Sequence, residues 1–348
     1  MRVALLINRR NFEMYSRWDD TGWELVHMGN GAPVAGEVVA AGADALVVDA
    51  IMRIGPDIIC NMPELKLIHS QGVAYNSIDV DAARGAGVYV CNCAGVNARP
   101  VAEHAILLIL ALLKGFRGGE DMVYSGRQME AKTACFENGL PELYGLKVGI
   151  VGYGAIGKML AAMLRPFGCE VRYFSRSGGT VKPPLGGGAA TRGAGDRLAC
   201  MQPGERDLSD AIYMPLEQLY AGSDIVSLNV PVTPETTNMI NAETLRRFKR
   251  GAILINTARG ELVDHAAVAD ALISGHLGGF GTDTLAPEPV LADNPFLRSL
   301  PVELRPRVAL SPHVAGITAG TFVRAYEHIR RNIEALERGD KPSRVVNP

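Results

Sequence analysis

The sequence lacks a paired CxxC spacing, a long hydrophobic run and an excess of charge of either sign, and each shortage excludes a class of function. Its six cysteines, Cys60, Cys91, Cys93, Cys135, Cys169 and Cys200, are scattered without a CxxC spacing, so no metal site is expected. They read as reduced thiols, mostly in the core of a cytoplasmic protein. The formal net charge is only −2, which supplies no basic face for nucleic acid or an anionic membrane. The longest apolar stretch, Ala105 to Leu113, falls well short of the roughly 20 residues that span a bilayer and reads as a buried helix. The opening "MRVALLINRRNF" has a short apolar run and no small-residue cleavage site, so it is expected to be a first strand and not a signal peptide. No short-period repeat points to a solenoid.

What is present is a globular composition, 47% hydrophobic and 21% charged over 348 residues. That length exceeds what one core usually supports, so two domains are expected. Apolar runs alternate with helix-like segments: "VALLI", "ALVVD", "LKLIHS", "GVYVCN", "KVGIVG", "EVRYF", "DIVSLNV", "AILINT", "GGFGTD" and "RVALSPH". Continuous apolar strands between helices indicate parallel sheets covered on both faces, an α/β fold. The expected division is residues 1–99, completed by a C-terminal helix within 320–348, and residues 100–319. A helix over about Val101–Phe116 would begin near Pro100. The last helix carries Phe322, Ala325, Ile329, Ile333 and Leu336 at helical spacing and should stop at Gly339. A glycine-rich stretch from Ser177 to Asp210 should form a long loop.

The most informative stretch is "LKVGIVGYGAIGKMLAAML". A short strand runs into Gly152-Tyr153-Gly154-Ala155-Ile156-Gly157, and a helix can follow. Gly152 permits a tight turn, Gly154 lets the backbone approach a pyrophosphate, and Gly157 lets helix and strand pack closely, with free amides at the helix start facing the phosphates. The pattern predicts a dinucleotide site. About 20 residues further on, where a carboxylate normally takes the ribose hydroxyls, stand Ser175 and Arg176. A hydroxyl and a guanidinium suit a 2′-phosphate, so NADP(H) is expected to be preferred. If Arg176 only stacks on the adenine, NAD(H) is accepted as well. Arg192 and Arg197 would add to the phosphate site.

Three later stretches end strands with polar groups: "AILINTARGELVD" offers Arg259, "GGFGTDTLAPEP" offers Asp283 and Glu288, and "VALSPHVAG" offers His313. Loops at the carboxyl ends of strands line the ligand crevice of such sheets. Reduction of a 2-keto acid needs a hydride donor, a proton donor at the carbonyl oxygen and a cation for the carboxylate. Histidine suits the proton transfer, a neighbouring carboxylate fixes its ring, and arginine grips a carboxylate with two parallel donors. The other six histidines, His27, His69, His104, His265, His276 and His328, read as structural, as does Asp264.

These motifs, together with "GVAYNSIDVDAARGAGVYVCNCAGVNARPVAEHA" and "LNVPVTPETTNMIN", resemble the D-isomer-specific 2-hydroxyacid dehydrogenase family in order and spacing over nearly the whole chain. The resemblance implies two doubly wound domains, a Rossmann dinucleotide-binding domain and a flavodoxin-like substrate domain. It implies that Arg259 binds the substrate carboxylate and carbonyl, that His313 is the acid/base and that Glu288 hydrogen-bonds to it. Asp283 would lie by the nicotinamide, with Val230, Pro231, Thr257 and Ala258 in the cofactor pocket. Backbone amides around Val73 and Ala74 would hold the substrate carboxylate, and the family is usually homodimeric through its cofactor domains. Ser175-Arg176 resembles the glyoxylate and hydroxypyruvate reductase branch, which directs the expected substrates. The chain departs from the family's usual wording at "DTLAPEP", where Leu285 and Ala286 replace an aromatic and an acid, and at "VAYN", where Ala74 replaces a glycine. Two rival readings are a cofactor-sensing corepressor of the same fold, for which no added partner-binding tail is expected, and a phosphoglycerate dehydrogenase, for which no regulatory domain is expected after the last helix.

Overall fold

The computed structural model describes residues 1–178 and 211–347. The loop expected over Ser177–Asp210 falls almost wholly outside them, together with Arg192, Arg197 and Cys200. The chain divides into two compact units, Met1–Asn97 with Gly316–Pro348, and Ala98–Ala315.

The first unit is built on five parallel strands: β1 Arg2–Leu6, β2 Glu24–His27, β3 Ala45–Val48, β4 Leu67–Ser70 and β5 Tyr89–Cys91, in the order β2-β1-β3-β4-β5. Every residue of β3 and β4 is buried, because both faces of the sheet are covered and an apolar side chain is favoured on each. One face packs Leu6, Leu46, Val48, Ile58 and Ile68 together. The other joins Val3, Leu5, Val47 and Leu67 to Ala325, Tyr326, Ile329 and Ile333 of the C-terminal helix Ala319–Glu337. Thr318 caps that helix by accepting from the Thr321 amide, and Gly339 follows it at φ 77. Phe322 and Leu336 are only partly buried at the edge of this packing.

Among its described residues the second unit holds seven parallel strands: β6 Lys147–Val151, β7 Glu170–Phe174, β8 Ile212–Tyr213, β9 Ile225–Leu228, β10 Ala252–Asn256, β11 Leu277–Thr282 and β12 Val308–Leu310. Their order is β12-β11-β10-β9-β6-β7-β8. From β6 the chain winds outward through β7 and β8, then returns to β9 on the other side of β6. The strand order therefore reverses between β6 and β9, where a doubly wound sheet opens a crevice at its carboxyl ends. Two strands, β2 and β8, were not expected from the sequence. Both are edge strands with no fully buried residue, so neither carries the continuous apolar run that marks the others.

The long helix of this unit spans Ala98–Leu113, starting before and ending earlier than expected. Pro100 sits in its first turn, where the missing N–H has no intrahelical partner to lose. Gly115, at φ 56, starts a separate helix, Phe116–Tyr124. Cys91, Cys93 and Cys169 are buried, whereas Cys60 and Cys135 are exposed, and all five are free thiols. Among the described residues no helix is long and apolar enough to cross a membrane.

Candidate active site

The turn after β6 has the glycines where side chains would collide. Gly152 adopts φ 96, and a Cβ there would come within 2.5 Å of the Asn229 carbonyl oxygen. A Cβ on Gly157 would strike the Gly152 carbonyl, so the helix Ala155–Leu164 can lie this close to the turn only without one. Gly154, by contrast, has open space beside it and is the N-cap of that helix, with no side chain capping it. A ten-residue helix whose first turn faces open space with no side-chain cap is a fitting place for a pyrophosphate. At neighbouring strand ends Asn229 Oδ1 and Thr257 Oγ1 are buried with no hydrogen-bond partner among the described residues, a cost a bound polar ligand would relieve. The residues present therefore fit a dinucleotide.

Beside this turn, Tyr153 stacks on Tyr173 of β7, with ring centres 3.9 Å apart. β7 ends at Phe174, whose carbonyl accepts from the Gly152 amide at 2.9 Å, so Ser175 and Arg176 follow directly beside the glycine turn. Ser175 is half-buried with its hydroxyl 2.8 Å from that of Ser177, and Arg176 is exposed. No carboxylate occupies either position. Val230 is half-buried and Pro231 exposed beyond β9.

Arg259 follows β10 in extended backbone. Buried Asn256 organises this turn: its Nδ2 donates to the Arg259 carbonyl at 2.7 Å and its Oδ1 accepts from the Ala258 amide at 3.1 Å. Thr257 is buried and Ala258 half-buried, and the Arg259 guanidinium donates to the Ala258 carbonyl at 2.8 Å. A Cβ on Gly260 would meet the Leu285–Ala286 backbone, so the turn after β10 packs onto the segment leading to Glu288.

His313 follows β12 in the left-handed region, at φ 57. Its Nδ1 lies 2.9 Å from both carboxylate oxygens of Glu288. The pair is open, with His313 42% and Glu288 46% exposed at their side chains, so a substrate can reach the ring. Asp283, at the end of β11, is only 2% exposed. Its Oδ1 accepts from the Val314 amide at 3.0 Å and its Oδ2 from the Ala315 amide at 2.8 Å, while its backbone carbonyl accepts from the His313 amide at 2.8 Å. The Asp283 carboxylate thus lies beneath the His313 turn.

Sequence reasoning missed three contributors. Asn256 holds the Arg259 turn, and Ser311 and His104 join Asp283: the Ser311 hydroxyl is 2.6 Å from Asp283 Oδ1 and 2.7 Å from His104 Nε2. The signals were the "NTARG" and "SPH" wording around residues already chosen. His104 gave no local signal, because only packing brings the helix Ala98–Leu113 to β12.

Val73 and Ala74 belong to the other unit, in the loop after β4. The Val73 carbonyl accepts from Asn92 Nδ2 at 2.7 Å and the Ala74 carbonyl from the Ser70 hydroxyl at 2.6 Å. With the carbonyls turned to these partners, neither amide donates a hydrogen bond among the described residues, an arrangement suited to an anion.

The family model for the NAD binding domain of D-isomer specific 2-hydroxyacid dehydrogenases matches residues 106–186 and 192–315. The chain is 35% identical over 306 residues to the glyoxylate reductase of Pyrococcus furiosus, covering 87% of this chain and 82% of that protein. It is 34% identical over 304 residues to the glyoxylate reductase of Korarchaeum cryptofilum, with the same coverage of each. Among solved structures, D-2-hydroxyisocaproate dehydrogenase superposes with a TM-score of 0.80 over all of both chains at 24% identity, a likeness of fold.

Proposed function

The chain belongs to the D-isomer-specific 2-hydroxyacid dehydrogenase family, whose members are nicotinamide-dependent oxidoreductases of 2-hydroxy acids, and on that premise we propose that it runs as an NADPH-preferring reductase of glyoxylate, hydroxypyruvate or a related 2-keto acid. The observation that carries the reading is the open His313–Glu288 pair in the same unit as the glycine turn.

Bound at the site, the nicotinamide supplies the hydride. Gly152, Tyr153, Gly154, Ala155, Ile156 and Gly157 would hold the pyrophosphate, Ser175 and Arg176 the 2′-phosphate, and Val230, Pro231, Thr257, Ala258 and Asp283 complete the cofactor residues. NAD(H) is the weaker alternative. Arg259 takes the substrate carboxylate and polarises the keto oxygen, which lowers the cost of charge developing there. His313, protonated, gives its Nε2 proton to that oxygen as the alcohol forms, and Glu288 on Nδ1 balances the imidazolium and keeps the remaining proton on Nδ1 after transfer. In the oxidising direction Nε2 takes the hydroxyl proton back. No metal enters this reading.

Partnership with a second copy of the chain completes it. Two consecutive helices of the cofactor unit, Phe116–Tyr124 and Gln128–Asn138, have no buried residue, and they display Phe116, Tyr124, Met129 and Phe136 at 64%, 85%, 65% and 90% exposure. Such a surface favours burial against its own kind, so we take the protein to be a homodimer. The free thiols support a cytoplasmic setting. Nothing in the charge balance favours nucleic acid or membrane as partner.

The test is loss of nicotinamide absorbance when purified protein meets glyoxylate or hydroxypyruvate with NADPH and, in parallel, with NADH. Rapid loss with NADPH supports the whole reading. Rapid loss with NADH alone keeps the reductase and rejects the cofactor preference, and no loss with either rejects the substrates.

A further inference from the structure

His313 holds a backbone conformation that a side chain with a Cβ disfavours. At φ 57 a non-glycine residue is strained, and it persists only where its surroundings over-determine it. Here they do so through one residue. Asp283 accepts from three consecutive amides, that of His313 at its backbone carbonyl and those of Val314 and Ala315 at its carboxylate, and the last two bonds require the carboxylate to stay in one rotamer.

What holds the rotamer is Ser311. Its amide donates to the Thr282 carbonyl at 3.0 Å, which pins β12 to β11 beside Asp283. Its hydroxyl has one hydrogen, given to Asp283 Oδ1 at 2.6 Å, so it must accept from its other neighbour. That neighbour is His104, whose Nε2 at 2.7 Å is therefore the protonated nitrogen. His104 is fixed in turn by its helix, between fully buried Ala102 and Ala105. Without the hydroxyl, Asp283 Oδ1 would keep only the Val314 amide and the His104 N–H would lose its acceptor, and the two, 3.6 Å apart, would be drawn to each other. Turning Asp283 toward His104 takes its oxygens off the Val314 and Ala315 amides and releases the strained turn.

We propose that Ser311, backed by His104, is a positioning residue for the reaction: through Asp283 it locks the left-handed turn that aims His313 at the substrate and keeps Nδ1 on Glu288. The inference rests on the reading of His313 as the acid/base.

Two readouts on the full chain test it. In the cofactor-free protein, Ser311→Ala speeds hydrogen exchange of the amides over His313–Ala315 at least about tenfold, and Ser311→Thr, which keeps the hydroxyl, restores protection. With hydroxypyruvate and NADPH, Ser311→Ala lowers kcat by about 10- to 100-fold, the scale expected of a small misplacement, leaves both KM values within about threefold, and is rescued by Ser311→Thr. His104→Ala, away from the turn, repeats both effects in weaker form and serves if Ser311→Ala does not fold. Exchange and kcat like the parent's in Ser311→Ala, or no rescue by threonine, overturn the proposal. His313→Ala separates the two ideas: turnover that survives it rejects His313 as acid/base, while the exchange measurement still decides whether Ser311 holds the turn.

Discussion

Arg176 is the residue on which the cofactor choice turns. It stands exposed just past β7, and its charge is felt by Glu235, whose carboxyl lies below the usual range chiefly through a hydrogen bond from Thr233 and in smaller part through Arg176. Glu235 is an exposed carboxylate, which a phosphate with two negative charges would outcompete for the guanidinium. Arg176→Ala is expected to raise the KM for NADPH about tenfold or more and to change that for NADH less than twofold or threefold; equal changes in the two would show that the arginine merely stacks. The absence of a carboxylate at 175 and 176 was plain in the sequence. The hydrogen bond between the Ser175 and Ser177 hydroxyls, which sets how the first of these faces the site, was not, because it depends on how the turn from Ser175 to Gly178 closes.

At the scale of elements, the contact of β4 with the C-terminal helix contains a buried switchable group. His69 is fully buried, with Nδ1 at 2.8 Å from the Ser70 carbonyl and Nε2 at 3.0 Å from Asn332 Nδ2. Asn332 Oδ1 already accepts from the Ser343 amide and hydroxyl, so its Nδ2 can only donate to His69, and the ring must be neutral with its proton on Nδ1. Burial pushes its pKa down to about 3. The unfolded chain, with a histidine near its ordinary value, binds the proton first as pH falls. Stability from this group is therefore complete above about pH 6.5 and declines from there toward 3, by roughly 2 kcal/mol between pH 7 and pH 5. His328, pushed to about 4 by burial, acts in the same direction. Urea midpoints at the two pH values should show this loss, and His69→Gln should flatten it; an unchanged slope in the variant would move the effect elsewhere. The helix and its apolar stripe were legible in the sequence from period alone. Its polar partner was not, since residues 263 positions apart meet only when the sheet is assembled.

For the molecule as a whole, the helices Phe116–Tyr124 and Gln128–Asn138 have no buried residue yet expose the large apolar or aromatic side chains Phe116, Tyr124, Met129 and Phe136. If they bury each other in a homodimer, sedimentation of the parent gives twice the chain mass, and Tyr124→Asp with Phe136→Asp gives the monomer with its fold intact by circular dichroism. A parent that sediments as a monomer removes the dimer. Sequence patterning did not mark this surface, because an apolar side chain facing a second copy and one facing its own core read alike.

Ten of the twelve strands among the described residues, the parallel α/β class and the glycine turn followed from the sequence, because they depend on neighbours within a few positions: continuous burial, a Cβ-free turn, a strand running into a helix. The candidate residues Arg259, Glu288 and His313 were legible because each lies in a short motif that follows an apolar strand and resembles the family's wording. The family resemblance implied the contact of Glu288 with His313, and tertiary structure alone decided what lies beneath that turn: the line from His104 through Ser311 to Asp283 joins residues up to 207 positions apart. Hydrogen bonds reach about 3 Å, and no local pattern records which distant donors the sheet will bring within that reach.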